Sequence, residues 1–76
     1  MEIPILTELE SAHPRLLKRT TLEAGVRIAT DGFTKTAFDR ALVTLEDKGQ
    51  IRIQAGEDVQ RVSITAEGLN RLADSR

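Results

Sequence analysis

The chain contains no cysteine, no tryptophan and no tyrosine. Without cysteine, neither a disulfide nor a thiolate metal site can support the fold. Phe33 and Phe38 are the only aromatic residues, and two rings are expected in a core sooner than in a platform that stacks bases. His13 is the single histidine, so a nucleophilic triad has only one candidate base and a histidine metal site has no second ligand. A loop histidine before a proline is the default for it. No apolar run approaches the roughly 18 residues of a membrane span. Met1-Glu2-Ile3-Pro4 lacks the basic region and apolar stretch of a signal peptide, which makes a cytoplasmic location the default expectation. Positive charge is not in excess either: 11 Lys and Arg face 12 Asp and Glu, for a net charge of −1. Proteins that bind DNA unaided usually show a basic face. Here such a face has to come from uneven distribution.

What is present is an aliphatic core and ordered turn chemistry. Seventy-six residues make one small domain, expected over 1–76. A domain of this size buries about 60% of its unfolded surface, so its stability margin is modest. Met1 favours a natural start over a piece of a larger protein. Ile3 to Ala12 reads as a first helix, with Pro4 in the first turn and Ile5, Leu6 and Leu9 on one face. His13-Pro14 interrupts it, and Pro14 can open a second helical segment running through Arg19. Thr20-Thr21 offers an N-cap. Leu22, Val26 and Ala29 then form an apolar stripe on a short helix. Gly25 within it either permits close packing or weakens the helix by about 1 kcal/mol.

The turn Thr30 to Phe33 leads to the clearest helix. Thr34 is its N-cap, and Phe38, Ala41, Leu42 and Leu45 face the core at i, i+3, i+4 and i+7. Lys48 lies in the last turn and Gly49 stops the helix. The period then changes to two. Ile51 and Ile53 alternate with Arg52 and Gln54, and Val62 and Ile64 with Arg61 and Ser63, which reads as two half-buried strands joined by Ala55-Gly56-Glu57-Asp58. Thr65 caps a final helix, Ala66 to about Asp74, with Leu69 and Leu72 inward. No phosphate-cradling glycine loop is present, and the carboxylates Glu46 and Asp47 fall at exposed helical positions. An enzyme is therefore not expected, nor is a cofactor or a metal.

The segment from Thr34 to Gly68 resembles the recognition helix and wing of a winged helix-turn-helix domain, with Thr21 to Ala29 similar to the first helix of the motif. Arg40-Ala41-Leu42 with Leu45 and Gly49-Gln50-Ile51 is similar to a pattern common in bacterial winged-helix regulators. Ser63-Ile64-Thr65-Ala66-Glu67-Gly68 resembles the step after the wing in MarR-like and PadR-like regulators. The resemblance covers about residues 14 to 73. Those families carry long dimerisation helices for which 76 residues leave no room, so it reaches the architecture and not family membership. The fold class it implies is α+β, mainly α: a three-helix core, a C-terminal β-hairpin wing and a short final helix.

That architecture implies double-stranded DNA as the partner, with helix 34–48 in the major groove of an operator. The outward set is then Lys35, Thr36, Asp39, Arg40, Val43 and Thr44. Arg40 suits a bidentate contact to guanine, and Lys35 suits phosphate. Asp39 fits cytosine or orients Arg40. In the hairpin, Arg52, Gln54 and Arg61 are placed to touch the backbone or minor groove, whereas Glu57 and Asp58 at the tip oppose DNA.

The plainer readings stand beside these. Arg40 can pair with Asp39, Glu46 or Asp47, Lys35 can be solvated, and the Arg15, Lys18, Arg19 cluster, which can lie along a phosphate backbone, is more often a solvated helix face. The alternative function is a winged helix used for protein–protein contact, favoured by the net charge, Asp39, the acidic tip and an exposed Val43. The first helix can supply a homodimer interface or complete the monomer core.

Overall fold

The computed structural model describes residues 1–75. Helix α1 spans Glu2–Ala12 and buries Ile5, Leu6, Leu9 and Ala12. Ile5, Leu6 and Leu9 belong to the protein's own core, so the inward face of this helix is used within the chain. His13 ends α1 with an extended backbone, φ −53° and ψ 135°, the geometry a following proline imposes.

The next segment corrects two expectations. Strand β1, Leu17–Lys18, stands where a helical segment from Pro14 to Arg19 is expected. Its two residues pair with Val62 and Arg61. That pairing holds Lys18 extended, at φ −61° and ψ 141°. Helix α2 can then begin at once, spanning Arg19–Ala29. Lys18 is thereby its N-cap, with no side-chain cap bond, and Thr20 and Thr21 lie inside the first turn. Within α2, Leu22 and Val26 are buried, but Ala29, its last residue, is exposed. Phe33 packs against the core, 5.7 Å ring to ring from Phe38, and the Arg27 guanidinium of the last α2 turn lies 4.8 Å from the Phe33 ring centre.

Helix α3 spans Lys35–Asp47 and buries Phe38, Ala41, Leu42 and Leu45. The Thr34 hydroxyl caps it, accepting from the Ala37 N–H at 3.1 Å. At its other end Gly49 takes φ +73°, a conformation that costs glycine little. The N–H of Gly49 then reaches the Glu46 carbonyl and that of Gln50 the Leu45 carbonyl, both at 2.9 Å, so two orphan carbonyls are satisfied. Lys48 is the C-cap residue, one step beyond the last turn expected for it.

Strands β2 (Ile51–Ala55) and β3 (Gln60–Ile64) form the hairpin, closed by Gly56 N–H to the Val59 carbonyl at 2.8 Å. The sheet order is β1-β3-β2, antiparallel throughout. Because side chains alternate along a strand, Leu17, Ile51, Ile53, Val62 and Ile64 share the inner face. Lys18, Arg52, Gln54, Arg61 and Ser63 share the outer one. Helix α4, Ala66–Asp74, is capped by the Thr65 hydroxyl. Leu72 is buried and Leu69 half-buried. The fold is α+β and mainly helical, with four helices and one three-stranded antiparallel sheet among the described residues.

Candidate functional site

The expected site residues divide between two surfaces. The first is the outward face of α3. Lys35, its first residue, is exposed and places Nζ 3.2 Å from Glu23 Oε1 on α2. Arg27 donates to the same carboxylate at 3.0 Å. The hydrogen bond from Lys35 does most to hold Glu23 below its ordinary pKa, and Arg27 adds to it. Thr36 is exposed and its side chain makes no hydrogen bond among the described residues. Asp39 is half-buried and accepts from Arg19 Nη2 at 2.8 Å, while Arg19 Nη1 donates to Gln60 Oε1 at 2.6 Å. One guanidinium at the start of α2 therefore links α3 to β3. It also removes Asp39 as the partner expected for Arg40.

Arg40 is exposed and has no ion pair among the described residues. Glu46, another partner considered for it, accepts instead from the Ile53 N–H at 3.3 Å. Val43 is 59% exposed and Thr44 half-buried. Asp39, Arg40, Val43 and Thr44 line an open groove of about 390 Å³.

The second surface is the outer face of the sheet, where Arg52, Gln54 and Arg61 lie. The register sets Gln54 and Lys18 on either side of Arg61 and Ser63 opposite Arg52. Residues of the inner face meet the helices: Gln60, of the same parity as Val62 and Ile64, is the strand residue tied through Arg19 to Asp39. Arg52, Gln54 and Arg61 are exposed and share the outer face, the outward position that the alternation predicts for them. The Arg15, Lys18, Arg19 cluster is not one helix face either. Arg15 precedes β1, Lys18 lies in β1 and Arg19 opens α2.

Sequence reasoning missed Gln60, because its bond to Arg19 joins distant parts of the chain. It grouped Lys18 and Arg19 with Arg15 as one helix face, because two strand residues are too few for alternation to show.

Glu57 and Asp58 at the hairpin tip are exposed. No group of three potential metal ligands occurs among the described residues, and no helix there is long and apolar enough to cross a membrane. Comparison with protein-family models, with curated proteins and with solved structures gave no match.

Proposed function

We propose that this chain is a winged helix-turn-helix domain that binds double-stranded DNA in the cytoplasm as a small transcriptional regulator. In this reading α2 and α3 are the helix-turn-helix, the β2–β3 hairpin is the wing, and α3 lies in the major groove. The observation that carries it is the element order α1-β1-α2-α3-β2-β3-α4 with sheet order β1-β3-β2, together with an exposed Arg40 on α3 that has no ion pair among the described residues. The warrant is analogy of architecture, joined to the chemistry of one arginine. Lys35, Thr36 and Thr44 flank Arg40 for backbone and base contacts, and the Arg19–Asp39 pair holds the angle between the two helices of the motif.

The test is a fluorescence titration with mixed-sequence duplex at low salt, followed by selection from a random duplex pool. Binding that weakens steeply with salt is expected through counterion release. Arg40→Ala should lower affinity for the selected site by about 1–3 kcal/mol, the range of one bidentate base contact, and by more than Arg15→Ala does. No binding at tens of micromolar would sink the DNA reading. The reverse order of the two variants would show that α3 is not the reading helix.

One observation favours a second reading, a protein–protein contact through α3. Val43 is 59% exposed in the groove, while Asp39 and Lys35, earlier on the same helix, are engaged within the chain. A chain that ignores duplex DNA, and whose Val43→Asp variant loses a partner retained by Arg40→Ala, fits that reading instead.

A further inference from the structure

Helix α3 buries Phe38, Ala41, Leu42 and Leu45 and leaves Arg40 and Val43 exposed. The fold gains little from a valine there. A β-branched side chain is a poorer helix former than alanine, and most of the Val43 surface stays in water. Arg40 makes no ion pair among the described residues. Spaced i and i+3, the two hold neighbouring positions on one helix face, with Cβ atoms about 5–6 Å apart. They line the open groove of α3 together with Asp39 and Thr44. The carboxylate of that groove is engaged, since Asp39 accepts from Arg19 Nη2 at 2.8 Å. The groove therefore offers a guanidinium that only donates, an apolar surface and a hydroxyl.

We propose that this groove reads a guanine next to a thymine, Arg40 taking guanine O6 and N7 and Val43 the thymine 5-methyl group; this rests on the reading of α3 as the helix in the major groove. Among the four bases only thymine presents a methyl group there, and an apolar contact to it is one of the ways a base is told from the others. Guanine presents two acceptors that a guanidinium meets with two donors. Three residues of helix rise about 4.5 Å, close to the roughly 3.4 Å between successive charges of one DNA strand, so the two side chains reach successive base pairs. Thr44, one position further on, brings a hydroxyl that can donate to thymine O4. Cytosine is disfavoured, because its amino group needs an acceptor and the Asp39 carboxylate already holds Arg19. A protein surface would also cover an exposed valine. The unpaired guanidinium beside it favours a ligand that sets two acceptors next to a methyl group, as a guanine–thymine step does.

The test starts from a duplex that the wild-type chain selects from a random pool. Each thymine in it is replaced in turn by deoxyuridine, which removes the 5-methyl group and keeps every hydrogen-bonding group. At one thymine next to a guanine, the wild-type chain should bind the uracil duplex roughly fourfold more weakly, the effect of one methyl group leaving an apolar contact. This series uses the unaltered chain, so its result does not depend on how a variant folds. Val43→Ser should bind the thymine and uracil duplexes equally, and Val43→Ile should keep the wild-type ratio. Arg40→Ala should lose the preference for guanine at the neighbouring pair. If no thymine beside a guanine is sensitive to its methyl group, or if Val43→Ser keeps the wild-type ratio, this inference fails. The α3 reading still stands in that case if Arg40→Ala loses base preference. If the wild-type chain binds no duplex, both fail.

Discussion

Gly25 and Gly68 both sit inside helices, yet a side chain at each would meet different neighbours. At Gly25 a Cβ would lie 2.6 Å from Glu8 Oε2, the far end of a flexible side chain that can swing aside. The glycine is thus not required for backbone contact between α1 and α2, and its main effect is the helix-propensity cost. Gly25→Ala should raise stability by about 0.5–1 kcal/mol. At Gly68 a Cβ would strike the Gln50 carbonyl oxygen and come within 2.7 Å of Ile64 Cγ1. Backbone and a buried neighbour cannot yield so easily. Gly68→Ala should cost about 1–3 kcal/mol, the usual range for overpacking. Urea unfolding of the two variants checks the opposite signs. A Gly25→Ala loss above about 1 kcal/mol would mean that Glu8 is fixed where it lies.

Between elements, Thr65 is the junction that fixes the hairpin to α3. Its N–H donates to the Gln50 carbonyl at 3.1 Å, its hydroxyl donates to the Gly49 carbonyl at 2.6 Å, and the same oxygen accepts from the Gly68 N–H at 3.3 Å. The end of α3, the end of β3 and the start of α4 meet there. Thr65→Val keeps the shape and the N–H bond but removes the hydroxyl, and should cost about 1–2 kcal/mol in thermal or urea unfolding. A change below a few tenths would show the cap to be idle. This junction also explains what could be read from the sequence. The Thr34 cap, the Phe38 to Leu45 stripe and the Gly49 stop are local signals, so α3 is legible at both ends. Alternation in 51–54 and 61–64 shows which hairpin residues share a face. The apolar parity also says which face the helices cover, so Arg52, Gln54 and Arg61 are legible as outward residues. Strand β1 was illegible because its conformation is set by pairing with β3, far along the chain. Once that pairing is formed, α2 starts before the threonines that look like its cap.

Over the whole molecule, the sheet's outer face carries cations without acids, while Glu2, Glu23 and Asp39 hold cations in ion pairs between or along the helices. Glu2 is the clearest case of the second kind, and it ties the chain's first helix to its last. Its carboxylate accepts from Arg71 Nη1 on α4 and lies 3.5 Å from Lys48 Nζ at the end of α3. Arg71 Nη1 reaches on to Gln50 Oε1 at 2.9 Å. The Arg71 hydrogen bond is the largest influence on Glu2 and, with the nearby charges of Arg71 and Lys48, outweighs desolvation. The pKa of Glu2 is therefore below its ordinary value of 4.5. A carboxylate whose pKa is lowered by folding stabilises the fold above its unfolded value, and that contribution is lost as pH falls through the folded value. All three side chains are partly exposed, so the contribution is that of a screened surface network, about 0.2–1 kcal/mol. Glu2→Gln should accordingly be less stable than wild type by that amount at about pH 7, and the gap should close as pH falls below 4.5 and through the lowered folded value. Glu23 is also lowered, but it is present in both proteins, so its acid loss cancels in the difference. Chemical unfolding at neutral and at acid pH measures the gap. A gap as large at the acid end as at neutrality would show that Glu2 acts through packing, and not through its charge.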